Sequence, residues 1–201
     1  MIEFGKEKRW ELINVLMKKR QNGAYLEIGC RGDMCFKRIK YTTNKTGVDP
    51  EKGGTIRKTS DEFFESNVNK FDVIFIDGDH TYAQVKKDVH NALEYLNEGG
   101  FIVLHDILPM VEERARDDKA PPKSGGWNGT VWKISFDLLA REDLRLLIGK
   151  FDDGCAVLQK QPNPSVLTFD FDAPSWENYI EMREDFPLYT FDELVKKLKK
   201  A

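Results

Sequence analysis

The sequence predicts an α/β domain on an open, doubly wound, mostly parallel sheet. Three observations carry that expectation. Short apolar runs rich in Val, Ile and Phe alternate with segments of helical periodicity, the pattern of parallel βαβ units. Those runs stop abruptly in Asp, Glu, Gly and His, as in FDVIFIDGDHTY (71–82). Further on, two apolar runs flank Asp152-Asp153-Gly154. A turn so short makes that pair antiparallel.

The elements follow in order. Trp10, Ile13, Val15, Leu16 and Met17 recur at helical spacing, so residues 6–20 are read as an opening helix ending before Asn22-Gly23. AYLEIG (24–29) reads as a first strand, TGVDP (46–50) as a second stopped by Pro50, and TIRKT (55–59) as a weak third. Thr59 and Glu62 have the form of a capping box that opens a short helix through DEFFES. FDVIFID (71–77) is the strongest strand. The following TYAQVKKDVHNALEYL (81–96) sets Tyr82, Val85, Val89, Leu93 and Leu96 on one helical face. FIVLHD (101–106) is another buried strand. Residues 107–129 lose the pattern and hold Pro121-Pro122 and Gly125-Gly126, so they are expected to be a lid-like loop. A helix is expected over 130–142, the antiparallel pair over 144–160, and an aromatic tail with a lysine-rich helix after it. The domain is drawn at 1–160, with 161–201 as a C-terminal extension packed on it.

At 201 residues the chain is long enough for a proper core. A net charge of −3 speaks against a dedicated nucleic-acid binder, and no apolar run reaches the ~20 residues of a membrane span. The first twenty residues are too charged for a signal peptide. Cys30, Cys35 and Cys155 are odd in number and show no CxxC pairing, which fits free thiols in a reducing cytoplasm.

Ligands of open α/β sheets bind beyond the carboxyl ends of the strands. Five polar clusters arrive there: Glu27 to Asp33, Asp49, Ser60-Asp61, Asp77-Gly78-Asp79-His80, and His105-Asp106. Gly29 and Gly32 allow a backbone turn to pass close to a ligand. Asp49 stands where such folds place an acid for ribose hydroxyls. A strand built for a dry interior does not end in two carboxylates and an imidazole without something to pair with them.

LEIGCRGD, GVDP, TSDEFF, FDVIFIDGDHTYAQVKKDV and LNEGGFIVLHD, in that order over residues 24–106, resemble the class I S-adenosylmethionine (SAM)-dependent methyltransferases. The chain is similar in particular to a branch with IDGDHxY and GGxxxxHD motifs that tailors sugars and natural products. The resemblance implies a seven-stranded, Rossmann-like sheet with an antiparallel last strand. It also implies SAM as cofactor, with Glu27, Gly29 and Gly32 at its methionine end, Asp49 at the ribose, Ser60 and Asp61 by the adenine, and Asp77 lining the site. The chain departs from the family in Asp33-Met34 after Gly32. A more distant similarity to catechol-type O-methyltransferases implies a divalent metal, Mg²⁺, on Asp77 and Asp106, although Ile107 stands where that family has an amide ligand. His80 falls at the place of that family's catalytic lysine and suits a general base. Metal dependence and independence stay open, Asp79 is either a turn cap or part of the site, and His105 is read as a satisfied core histidine.

The expected activity is O-methylation of a small-molecule hydroxyl, with a sugar acceptor implied by the resemblance. Trp127 and the aromatic tail are candidate specificity elements. The alternatives are a nicotinamide-dependent oxidoreductase, which needs a GxGxxG that the chain lacks, and a non-catalytic binding subunit. A homo-oligomer is left open.

Overall fold

In the computed structural model, residues 2–117, 126–171 and 173–199 are described. The apolar spacing of the opening segment folds as α1 (Arg9–Lys19), which buries Leu12, Ile13, Leu16 and Met17. The strands are β1 (Tyr25–Ile28), β2 (Lys45–Val48), β3 (Phe71–Ile76), β4 (Leu96–Leu104), β5 (Arg145–Gly149), β6 (Cys155–Gln159) and β7 (Leu188–Tyr189). They form one seven-stranded sheet in the order β2-β1-β3-β4-β6-β5-β7. Among the described residues, only β6 runs against its neighbours, inserted between β4 and β5. The helices α2 (Ser60–Ser66), α3 (Tyr82–Glu94), α4 (Ile134–Leu139), α5 (Trp176–Met182) and α6 (Phe191–Lys199) complete the chain. This is the doubly wound, mostly parallel α/β fold that the alternating pattern predicts.

The two-residue period of the strands sorts the core into two layers. Leu26, Ile28, Ile74, Ile76, Ile102 and Leu104 face a layer that includes Phe63 and Phe64 of α2, Val85 and Val89 of α3, and Phe136 of α4. Tyr25, Val73, Phe75, Phe101 and Val103 face the layer under α1 and α6. Thr59 does cap α2: its hydroxyl accepts the Glu62 N–H at 3.2 Å, and Glu62 accepts the Thr59 N–H at 2.9 Å. The three thiols are free and buried. Among the described residues, no helix is long and apolar enough to cross a membrane.

Two segments differ from the expectation. TIRKT is not a strand. Only Ile56 bridges Val48, and the Thr55 and Ile56 N–H groups share the Gly47 carbonyl at 2.8 and 2.9 Å. The segment has one apolar side chain to bury, and Gly53 and Gly54 before it turn at φ 75° and 64°, so no ladder extends. The seventh strand comes instead from the tail, where Leu188 pairs with Ile148. The lid-like reading of 107–129 falls partly on 118–125, which lie outside the described residues. Its described flanks are tied down. Ile107 and Leu108 are fully buried, and the Arg114 carbonyl accepts the Asn128 and Gly129 N–H groups at 2.9 and 3.0 Å.

Candidate active site

The loop after β1 turns at Gly29 with φ 88°, and a Cβ there would stand 2.2 Å from the Asp77 carbonyl oxygen. A side chain is therefore excluded on two counts, and the glycine loop packs directly against the loop after β3. Asp49 ends β2 as predicted, 7% exposed. Its Oδ2 accepts the Arg31 N–H at 2.7 Å, and its Oδ1 accepts those of Glu51 and Lys52 at 2.9 and 2.8 Å. Burial works against its charge, but these three amides outweigh it and hold the carboxyl below its usual value of 3.8. With three acceptor positions taken, Oδ2 keeps room for one ligand hydroxyl, not for a bidentate grip. The structure thus gives Asp49 a second task, tying the glycine loop to the loop after β2.

Glu27 does not line the open edge. It is 1% exposed, faces the layer beneath α1, and accepts the Tyr25 hydroxyl at 2.5 Å. Burial pushes its carboxyl up to about 7, against the Tyr25 hydrogen bond. Ser60 and Asp61 open α2 and are bridged by the Gln84 amide at 3.1 and 2.9 Å, with Lys87 3.2 Å from Asp61. Gly32 has nothing within 4 Å of the place a Cβ would take, so the loop is open there.

The residues at the ends of β3 and β4 converge. His80 Nδ1 lies 2.9 Å from the Trp127 carbonyl, an obligate acceptor, so Nδ1 carries the hydrogen and Nε2 is the basic atom of the neutral ring. Nε2 is 3.6 Å from Asp77 Oδ1, Nδ1 is 3.3 Å from Asp106 Oδ2, and the Trp127 ring stacks on the imidazole at 5.2 Å between centroids. Burial opposes the charge on His80, but Asp77 and Asp106 outweigh it and raise the imidazole above its usual 6.5. His105 Nδ1 lies 3.2 Å from both Asp77 Oδ1 and Asp106 Oδ2.

Adjacent strand residues point to opposite faces, so sequence alone does not bring His105 and Asp106 together. They meet because β4 has ended at Leu104 and Asp106 adopts φ 60°, which breaks the alternation. His105 is a satisfied histidine, as read from the sequence, but its partners make it part of the site.

Two residues carry roles that the sequence did not signal. Arg9, first residue of α1, reaches across the sheet edge. Its Nη1 is 3.0 Å from His105 Nε2 and 2.8 Å from Asp152 Oδ2, and its Nε is 3.5 Å from Asp77 Oδ2. Asp152, readable only as a turn residue, also accepts the Arg9 backbone N–H at 3.0 Å and so caps α1 from another element. A basic residue at a helix start and an acid in a hairpin turn are each ordinary. Only their contact is informative.

Asp77, His80 and Asp106 lie close enough to one another for an ion, each within 4.8 Å. Their donor chemistry does not fit a divalent cation. Asp77 Oδ1 and Asp106 Oδ2 face the N–H of His105 Nδ1, Asp106 Oδ1 takes the Asn128 amide at 2.6 Å, and Asp77 Oδ2 faces Arg9. At the expected metal ligands Asp77 and Asp106, an Mg²⁺ ion would compete with these donors for the same oxygens. Asn128 Oδ1, buried and without a protein donor among the described residues, is one neutral acceptor left for an incoming N–H or O–H.

Comparison with known proteins bears on the fold. Residues 10–107, just under half of the chain, match the family model described as a methyltransferase domain. The uncharacterised protein R132 of Acanthamoeba polyphaga mimivirus is 47% identical over 91 residues. That match covers 41% of this chain and 41% of that relative's length. Among solved structures, the Podospora anserina methyltransferase PaMTH1, bound to S-adenosylhomocysteine (SAH), superposes with a TM-score of 0.57 at 16% identity, over 76% of this chain and 78% of that one. A putative caffeoyl-CoA O-methyltransferase from Staphylococcus aureus gives 0.56 at 20% identity, over 79% and 86%. The O-methyltransferase TomG from Streptomyces achromogenes, in complex with SAM, gives 0.52 at 17%, over 76% and 79%. A methyltransferase-domain model thus matches residues 10–107, and the chain shares its fold with these methyltransferase structures.

Proposed function

We propose that this chain transfers the methyl group of SAM to a hydroxyl of a small molecule, a sugar among the acceptor classes to test, with His80 as general base. The observation that carries the reading is the direct contact of Gly29 with the Asp77-Gly78 backbone. It puts the loop suited to the cofactor's methionine end against the loop that bears His80. In this reading the acceptor O–H gives its proton to His80 Nε2 and the oxygen attacks the methyl carbon in line. The carbon–sulfur bond breaks, its electron pair stays on sulfur, and neutral SAH leaves. Asp77 steadies the imidazolium so formed. Asp49 Oδ2 would take one ribose hydroxyl, with Ser60 and Asp61 by the adenine. The Staphylococcus and Streptomyces neighbours, a putative and a named O-methyltransferase, favour oxygen as the acceptor atom.

A nicotinamide oxidoreductase is disfavoured by Gly29-x-x-Gly32 in place of GxGxxG and by the reversed β6 between β4 and β5. Calorimetry of the purified protein with SAH and with NAD⁺ separates the two. Binding of SAH alone is expected, and binding of NAD⁺ alone would overturn the reading.

A further inference from the structure

We propose that Arg9, acting through His105, takes the place of a divalent cation at the strand-end acids and keeps Asp77 and Asp106 as hydrogen-bond acceptors, not metal ligands. The inference concerns the same site as the methyl-transfer reading but is tested without it.

The argument turns on which nitrogen of His105 carries hydrogen. Any ion placed between Asp77 Oδ1 and Asp106 Oδ2 meets His105 Nδ1, which stands 3.2 Å from each. To ligate, Nδ1 must offer a lone pair, so the ring's hydrogen has to sit on Nε2. Arg9 Nη1 is 3.0 Å from that atom and can only donate. In the neutral ring, therefore, Nε2 accepts from Arg9 and the hydrogen is on Nδ1. In the charged ring both nitrogens carry hydrogen, and Nε2–H turns to Asp152 Oδ2, 3.6 Å away. In either state an N–H points where the ion would stand.

Charge points the same way. A divalent ion at two acids is favoured by their uncompensated negative charge. Here the half-buried Arg9 guanidinium, 2.8 Å from Asp152 and 3.5 Å from Asp77, offsets part of it. Arg9 is held in place independently, because Asp152 binds both its side chain and its backbone N–H. Arg9 is thus a positioning residue. It fixes the His105 tautomer, His105 clamps Asp77 to Asp106, and Asp77 remains free to face His80 Nε2.

The test uses Mn²⁺ alone as probe, with the full chain and without an acceptor. Electron paramagnetic resonance of free Mn²⁺ should show no binding to the unmodified protein at millimolar concentration. Arg9→Met frees Nε2 to carry the hydrogen toward Asp152 and removes the competing cation, so it should gain Mn²⁺ affinity. The gain should be roughly tenfold or more, the modest end of what a unit charge does at a few ångströms in a buried site. Arg9→Lys keeps a cationic donor and should not gain it. Long-range proton–nitrogen correlation spectra of the unmodified protein need no variant and should find hydrogen on His105 Nδ1. Mn²⁺ bound by the unmodified protein and lost in Asp77→Asn, a folded Arg9→Met variant with no gain, or His105 with hydrogen on Nε2 alone would each overturn the proposal. SAH titration reads the methyltransferase assignment separately, so its failure would leave the metal result standing.

Discussion

His80 and Asp49 show how one side chain can serve two masters. His80 is fixed by a carbonyl on one nitrogen, which leaves the other as the basic atom of the neutral ring and the proposed base. Replacing it with Ala should leave SAH affinity nearly unchanged and lower turnover about 10²–10⁴-fold, read in single-turnover assays once an acceptor is found. Only the neutral imidazole accepts a proton, and its pKa is raised above 6.5. The rate should therefore climb with pH through that raised value and fall off below it. A flat pH profile with chemistry rate-limiting would remove His80 as base. Asp49→Ala takes the acceptor from three backbone amides. It should weaken SAH about tenfold, as loss of one charge-assisted hydrogen bond does, and cost about 1–3 kcal/mol of stability for the stranded donors. Calorimetry and thermal melts read the two effects apart. A variant that binds SAH as the parent does would take Asp49 out of the site.

At the scale of the element, the loops after β1, β3 and β4 are positioned by backbone devices more than by side chains. Gly29 is among the least replaceable of them. In Gly29→Ala the methyl group meets the Asp77 carbonyl at 2.2 Å, and the positive φ costs a further ~1–2 kcal/mol. The glycine loop and the His80 loop must then separate. SAH binding should be lost while the far-ultraviolet circular dichroism of the sheet persists. Retained affinity would mean that the cofactor does not use this loop. The opening helix has a comparable double role, since α1 buries four apolar side chains against the sheet and delivers Arg9 to the site.

The whole molecule responds to pH through groups pulled in opposite directions. Asp77 and Asp152 are held below their usual 3.8, burial being outweighed by His105 and Arg9. Their contribution is present above the unfolded value and is lost as pH falls through the depressed ones. Glu27 is raised by burial from 4.5 to about 7, so the folded state holds its proton more tightly than the unfolded chain does. Its contribution is full below 4.5 and is lost as pH rises to about 7, at about 1.36 kcal/mol per unit. Stability should therefore peak under mildly acidic conditions. Glu27→Gln, neutral at every pH and still able to accept the Tyr25 hydroxyl, should melt higher than the parent at pH 8 and close to it at pH 5. Equal midpoints at pH 8 would mean that Glu27 is not strained by ionising.

The sequence by itself determined the sheet and the edge on which the site lies. Strands of alternating or continuous apolar residues, Thr59 with Glu62, and the turn at Asp152-Asp153-Gly154 are local signals whose chemistry acts within a few residues, so they are legible without a fold. The clusters at Gly29, Asp49, Asp77-His80 and Asp106 were legible for the same reason, since strand ends in an open parallel sheet share one edge. What only the tertiary structure decided is who meets whom. Arg9 and Asp152 are 143 residues apart, and no periodicity links them. The turn of Asp106 into φ 60°, which brings it beside His105, is invisible in a pattern that assumes strand alternation. TIRKT failed as a strand because a ladder needs a partner edge and buried side chains, and β7 formed because the tail lay beside β5. The proposal against a metal rests on the same kind of contact. Two acids at strand ends look like ligands in the sequence, and only the fold brings a guanidinium to Asp77 and an imidazole to both.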